Sequence, residues 1–252
     1  MTLAFRDPTI PDSPLAHWDA RWKLAAFLLM VVAAVSLQHP GPTAAAAGIA
    51  LALALVGRVR FSVVAGRAGL LLLVTLPFVV FVPLTQGADS PGWDIGPLHV
   101  SRPGLVAGAV ITLRVLAVGL LALVLTRTAP LSRTLSAAHA LRMPGVLVQV
   151  AQLAYRYTFV LAAEARRLRI AMRTRGFRAR TSRHTYRTLG HGVGSLLVRG
   201  GDHADRVADA MRCRGFDGTY RTATTFRTTP ADVLSFAVLC AGTIALVMID
   251  RS

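Results

Sequence analysis

The sequence predicts an all-α, polytopic membrane protein with about five transmembrane helices and a cytoplasmic domain of long amphipathic helices between the fourth and the fifth. Three observations carry this. Hydrophobic residues make up 54% of the chain and charged residues only 16%, with a mean hydropathy of +0.53; an ordinary soluble domain carries about a quarter charged residues. The apolar residues gather into runs long enough to cross a bilayer. The charge is uneven: of 28 Lys and Arg residues, 19 lie between Arg127 and Arg227 beside five acids, so that section holds +14 of the formal +16. Two readings fit such a basic block, nucleic-acid binding and a cytoplasmic segment obeying the positive-inside rule. The apolar runs on both sides of it favour the second.

The chain opens with a polar stretch, and no convincing small-residue cleavage site follows the first apolar run, so no cleavable signal peptide is expected. The first span, about Leu24 to Leu37, is short, which puts Trp22 and Lys23 at the membrane interface. A charge-free turn, His39-Pro40-Gly41-Pro42, leads to an Ala-rich second span, about Thr43 to Val56, whose small residues allow close packing. Arg58, Arg60 and Arg67, with no acid among them, mark the next loop as cytoplasmic. The third span, about Ala68 to Leu84, contains Pro77 and Pro83, which are expected to kink it.

Gln86 to Pro103, with Asp89, Asp94, Trp93 and a single Arg, reads as an external loop. The fourth span, about Gly104 to Leu125, opens with Gly104-x-x-x-Gly108, a spacing that permits close backbone approach. Arg114 lies near its middle. An intramembrane Arg normally faces the protein interior; the alternative is a shifted span that brings Arg114 nearer an interface. Residues 1–125 thus hold four spans, 126–229 form the basic cytoplasmic domain, and 230–252 hold the fifth span, about Asp232 to Ile249. The N-terminus is then cytoplasmic.

Within the basic domain a short helix, about Leu131 to Leu141, stops at Met143-Pro144-Gly145. A long helix follows, about Val146 to Arg175, with Tyr157, Leu161, Ala165, Leu168 and Met172 on one face and Arg156, Arg166, Arg167, Arg169 and Arg173 on the other. A second, about Arg187 to Arg214, is loosened by five glycines but carries the i,i+4 pair Asp202/Arg206 and the i,i+3 pair Asp209/Arg212. Both end in one heptapeptide: Ala-Met-Arg-Thr-Arg-Gly-Phe at 171–177 and Ala-Met-Arg-Cys-Arg-Gly-Phe at 210–216.

Helix termination explains most of that repeat. With Gly176 and Gly215 left-handed, Phe177 and Phe216 follow them and Met172 and Met211 sit where a Schellman cap favours an apolar contact. Arginines in the last turn suit the helix dipole. Termination does not require Arg175 and Arg214 directly before the glycines. Two presented guanidinium groups suit bidentate docking onto carboxylates or carbonyls of a partner.

These helix ends resemble the signature of the transmembrane (T) component of energy-coupling factor transporters, with Thr174-Arg175-Gly176 and Cys213-Arg214-Gly215 at the family's two Ala-Arg-Gly motifs. Thr and Cys replace the leading Ala. Asp19-x-Arg21-x-Lys23-Leu24 resembles the family's Asp-Pro-Arg-x-Lys-Leu, with Ala20 for Pro. Tyr155-Arg156-Tyr157 with Glu164-Ala165 looks like the start of its coupling helix, and Gly215-Phe216-Asp217-Gly218 resembles the cobalt-type (CbiQ) branch. The resemblance covers nearly the whole chain. It implies two cytoplasmic ATP-binding-cassette ATPase subunits as partners, docked through Arg175, Gly176, Arg214 and Gly215 with Arg173 and Arg212 beside them. It also implies a substrate-binding integral membrane subunit, a plasma-membrane location and cobalt as cargo, with nickel, biotin or another vitamin as alternative cargoes.

The chain is expected to be a mechanical coupler rather than an enzyme, with no cofactor of its own and ATP and Mg bound on the partner ATPases. Its only lysine is Lys23, so no Gly-x-x-x-x-Gly-Lys-Ser/Thr loop exists; the glycine-rich run from Gly190 to Ser195 lacks that lysine. No carboxylate pair or nucleophile–base constellation lies in the spans. The histidines (His17, His39, His99, His139, His184, His191 and His203) form no ligand-spaced cluster, so no metal site is expected, and His99 is the one to test. Cys213 and Cys240 are not expected to pair. Two other classes remain as alternatives: a membrane-anchored binder of nucleic acid or anionic lipid, and a membrane enzyme with an unrecognised site. Sparse aromatics among the arginines argue against nucleic acid.

Overall fold

The computed structural model describes residues 13, 15, 18–85, 92–95, 98–178, 180–218, 226 and 228–251. His17, loop residues 86–91 and 96–97, and the side chains of 92–100, His99 among them, lie outside that description. The described chain is helical apart from one hairpin: α1 (Ala20–Ser36), α2 (Pro40–Val56), α3 (Phe61–Thr85), β1 (Gly92–Ile95), β2 (Leu98–Ser101), α4 (Arg102–Thr128), α5 (Leu131–Ala140), α6 (Gly145–Thr174), α7 (Arg183–Cys213) and α8 (Pro230–Arg251). The antiparallel hairpin, with Asp94 opposite His99 in register, occupies the stretch read as an external loop. Two compact units result, Met1–Leu141 with Thr224–Ser252, and Arg142–Ala223.

In the first unit α4 is central, packed on α1, α2 and α3, while α8 packs on α1 and α2 and α5 on α1. Small residues set the spacing. Ala46, Ala50 and Ala54 recur at four-residue intervals on α2 and are buried, as is Ala117 on α4. The Gly104/Gly108 pair lets α3 lie directly against α4: a Cβ at Gly104 would sit 2.5 Å from the Pro83 Cα, and one at Gly108 3.2 Å from the Val79 Cα. Without a large hydrophobic drive between helices in lipid, such close approach supplies the packing. The larger apolar core joins Phe27 and Met30 of α1 to Leu120, Leu121 and Val124 of α4. α3 runs through both Pro77 and Pro83 as one continuous helix.

Four helices, α3, α4, α6 and α8, are long and apolar enough to cross a membrane, and the chain is a multi-helix membrane protein. α1 and α2 have 17 residues each, about 25 Å of helix against a hydrocarbon core of about 30 Å. α6, which the sequence places in the cytoplasmic domain, meets the length and composition of a span at a hydropathy of 1.3, against 2.2 to 2.4 for the other three. The apolar half of α6 precedes its arginine cluster, so one 30-residue helix joins an oily stretch to a basic one.

Candidate functional site

In the second unit, α6 and α7 pair antiparallel through a short stretch. The Tyr157 ring meets the His203 ring edge-on at 5.0 Å, Leu161 lies against Gly200 and Leu168 against Gly192, and Glu164 accepts a hydrogen bond from Arg199. Tyr157, Leu161 and Leu168 therefore form the contact face that the 3.6-residue period predicts. α7 runs unbroken through all five glycines, capped at its start by Ser182, whose hydroxyl accepts from the Thr185 amide. Two of those glycines make room for α6 leucines rather than loosening the helix. Asp209 and Arg212 pair at 3.2 Å, whereas among the described residues Asp202 and Arg206 form no ion pair.

Both helices end in the same hydrogen-bond pattern. At the first end, the Phe177 amide donates to the Met172 carbonyl at 3.0 Å and the Gly176 amide to the Arg173 carbonyl at 3.0 Å. At the second, Phe216 donates to Met211 at 3.1 Å and Gly215 to Arg212 at 3.0 Å. Gly176 and Gly215 have φ of 79° and 77°. That is a Schellman cap, twice. Arg175 and Arg214 are the C-cap residues, both exposed, and among the described residues neither guanidinium has a hydrogen bond or an ion pair. Arg173 and Arg212, two positions earlier, are also exposed.

The pairing order places these ends apart. From the middle of the contact stretch, Arg175 lies about 20 Å along α6 and Arg214 about 24 Å along α7, at 1.5 Å per residue. Because the helices run antiparallel, the two ends project to opposite sides, up to roughly 45 Å from each other. A pair of unpartnered guanidinium forks at that spacing can engage two separate anionic or carbonyl-lined recesses, not one.

In the first unit, Arg114 of α4 donates to the Leu37 carbonyl at the end of α1, while its buried Nε has no partner. It faces the interior, as an intramembrane arginine must. Asp250, near the end of α8, accepts from the next two amides, Gln38 at 2.9 Å and His39 at 2.8 Å. The α1–α2 turn is thus held from both neighbours. Sequence reading missed Asp250. Its signal was an acid in the last turn of a helix, where the dipole opposes it; here it serves the start of α2 instead.

The Asp19-x-Arg21-x-Lys23 stretch builds a second polar junction. Asp19 caps α1, accepting from the Arg21 amide at 3.0 Å and from its side chain at 2.9 Å. Burial pushes the Asp19 carboxyl up, but the bonds from Arg21 and its charge outweigh this and hold it below the ordinary carboxylate value. Asp232 of α8 accepts the Asp19 amide at 3.3 Å and the Thr229 amide at 2.8 Å. Thr229-Pro-Ala-Asp232 is half of a capping box, a local signal that would have started the last helix at Pro230. Lys23, 1% exposed, reaches the Thr128 carbonyl at the end of α4. Among the described residues no group of three or more His, Cys, Asp or Glu is placed to hold a metal ion.

The described residues thus form a mainly helical membrane bundle and an arginine-tipped helix pair, the build of a polytopic membrane protein with a basic helical unit. The sequence matches the model of the cobalt transport protein (CbiQ) family over residues 11–225, and the chain belongs to that family. It is 31% identical to the cobalt transport protein CbiQ of Rhodobacter capsulatus over 144 residues, 56% of this chain and 59% of that protein; the match thus spans under two thirds of that relative. Two uncharacterised proteins of Methanocaldococcus jannaschii are also similar. One is 24% identical over 81% of this chain and 72% of its own length, the other 29% identical over 48% and 45%.

Proposed function

We propose that this chain is the transmembrane coupling component of an energy-coupling factor importer that takes up cobalt, with Arg175 and Arg214 as the two docking points for a pair of ATPase subunits. The observation that carries it is the duplicated cap: two Schellman-terminated helices present exposed, unpaired arginines at opposite ends of one crossed pair. A helix is a stiff lever, and a Schellman stop keeps the last turn from fraying, so a push on Arg175 or Arg214 is delivered along the helix. Closure of two ATPases on ATP binding would draw the two ends together and change the crossing at Glu164–Arg199. The chain supplies position and leverage, and the partners supply hydrolysis. The family and the Rhodobacter capsulatus relative support cobalt as cargo. Replacing Arg175 and Arg214 together by Ala is expected to abolish co-purification of the ATPase pair, or to leave ATP hydrolysis uncoupled from Co2+ uptake. The caps persist in that variant because Gly176 and Gly215 remain. Normal assembly and transport would overturn the docking role.

A further inference from the structure

The chain leaves the first compact unit after Leu141 and re-enters it at Thr224. Residues 18–23 contact the elements that precede the first connection and the residues that follow the second. On the outgoing side, Lys23 donates to the Thr128 carbonyl at 3.5 Å, and α1 packs on α5, the last element before the exit. On the returning side, the Arg21 guanidinium donates to the Thr228 hydroxyl at 2.9 Å and lies 4.8 Å over the Phe226 ring. The Trp18 indole donates to the Asp232 carbonyl at 3.3 Å, and the Asp232 carboxylate joins the first amides of α1 and α8.

Packing alone does not call for this chemistry. Lys23 is the only lysine in the chain and is 1% exposed; a methionine would fill its volume with no ammonium to desolvate. What the ammonium adds is a directional bond to the last turn of α4, where the negative end of the helix dipole meets it. Asp232 likewise does more than cap its own helix, since one oxygen serves α8 and the other α1.

Resting on the coupling role proposed above, we infer that residues 18–23 are the anchor through which displacement of the Arg142–Ala223 unit reaches α1, α4 and α8, with Lys23 and Asp232 as its positioning residues. They touch neither cargo nor nucleotide. They fix where the two connections enter the bundle, so that motion of those connections turns helices instead of being absorbed as slack.

The test is the complete complex, reconstituted with its ATPase pair and substrate-binding subunit and assayed for both ATP hydrolysis and uptake of radiolabelled Co2+. Lys23→Met and Asp232→Asn are expected to retain the ATPase pair and hydrolysis to within about twofold while Co2+ taken up per ATP falls by about tenfold or more, a coupling loss of ordinary size. Lys23→Arg, which keeps the cation and the donor, restores most of that ratio. An unchanged ratio in both variants, or hydrolysis and uptake falling in parallel, overturns the anchor. Should Lys23→Met fail to fold, the partly exposed Arg21→Gln decides, with a loss of about two- to threefold in the same ratio expected and no loss counting against. If the unaltered chain retains no ATPase pair, the coupling role itself fails and this inference with it; ATPase-bound complexes of Lys23→Met and Asp232→Asn that both couple normally overturn the inference and leave the coupling role standing.

Discussion

The two compact units solve the same problem in opposite ways. In the first, helices bury small residues against one another, with Ala50, Ala54, Ala117 and Val124 fully enclosed, and polar side chains close the loose ends: the half-buried Arg114 and Asp250 at the α1–α2 turn, the buried Lys23 and Asp232 at the other end of α1. In the second, α6 and α7 touch over a short stretch, and Leu189, Val193, Leu197 and Val198 of α7 are exposed, with Val160 and Ile170 of α6. A close-packed bundle has low compressibility and transmits displacement as a body. A helix pair with few contacts can change its crossing at little cost. The contrast is that of a frame and a lever.

The glycines give the largest test of that contrast. Gly104→Leu drives side-chain atoms into Pro83, whose Cα is 2.5 Å from the first added carbon, and no rotamer relieves a backbone clash. A loss of about 3 kcal/mol or more is expected, seen as a sharp drop in the thermal melt of the detergent-solubilised protein. Gly190→Ala and Gly201→Ala on α7 meet nothing within 4 Å. They are expected to be neutral or to stabilise by up to about 1 kcal/mol each, since Ala is the better helix former. Equal effects at the two sets of sites would erase the distinction.

A smaller effect separates the caps from the frame. Ala at Gly176 and Gly215 would have to hold φ near 79° and 77°, which costs an L-residue roughly 1–2 kcal/mol per site. Amide exchange at Phe177 and Phe216 is expected to quicken several-fold while the melt of the first unit stays put. A fall in that melt would show that the helix ends help to hold the bundle.

The local chemistry was legible in the sequence wherever it lay within one turn of helix. Met172, Gly176 and Phe177 specify their cap within six consecutive positions, and Gly104 with Gly108 announces a close contact without naming its partner. Distant pairings were not legible. Nothing in the chain order joins Asp250 to Gln38 and His39, or Asp232 to Asp19, because side chains more than 200 residues apart meet only after the bundle forms. Arg114 was legible as an inward-facing cation, but its acceptor, the Leu37 carbonyl, is a backbone group that every residue carries. Charge also placed the whole of α6 in the cytoplasmic domain, passing over the oily first half that precedes its arginines.

The smallest effect lies at the crossing itself. Glu164 and Arg199 are 27% and 62% exposed as side chains, and Arg167 competes for the same carboxylate at 3.8 Å. An ion pair so open to water contributes about 0.5 kcal/mol or less, and salt at 1 M shortens the screening length to about 3 Å. A double-mutant cycle of Glu164→Gln and Arg199→Gln, read from helix-pair stability, is therefore expected to show a coupling near that value at low salt and none at 1 M. A coupling several times larger, persisting in salt, would mean that the crossing is locked electrostatically. The lever would then be part of the frame, and force arriving at Arg175 or Arg214 would have to break that lock before it could move α6 against α7.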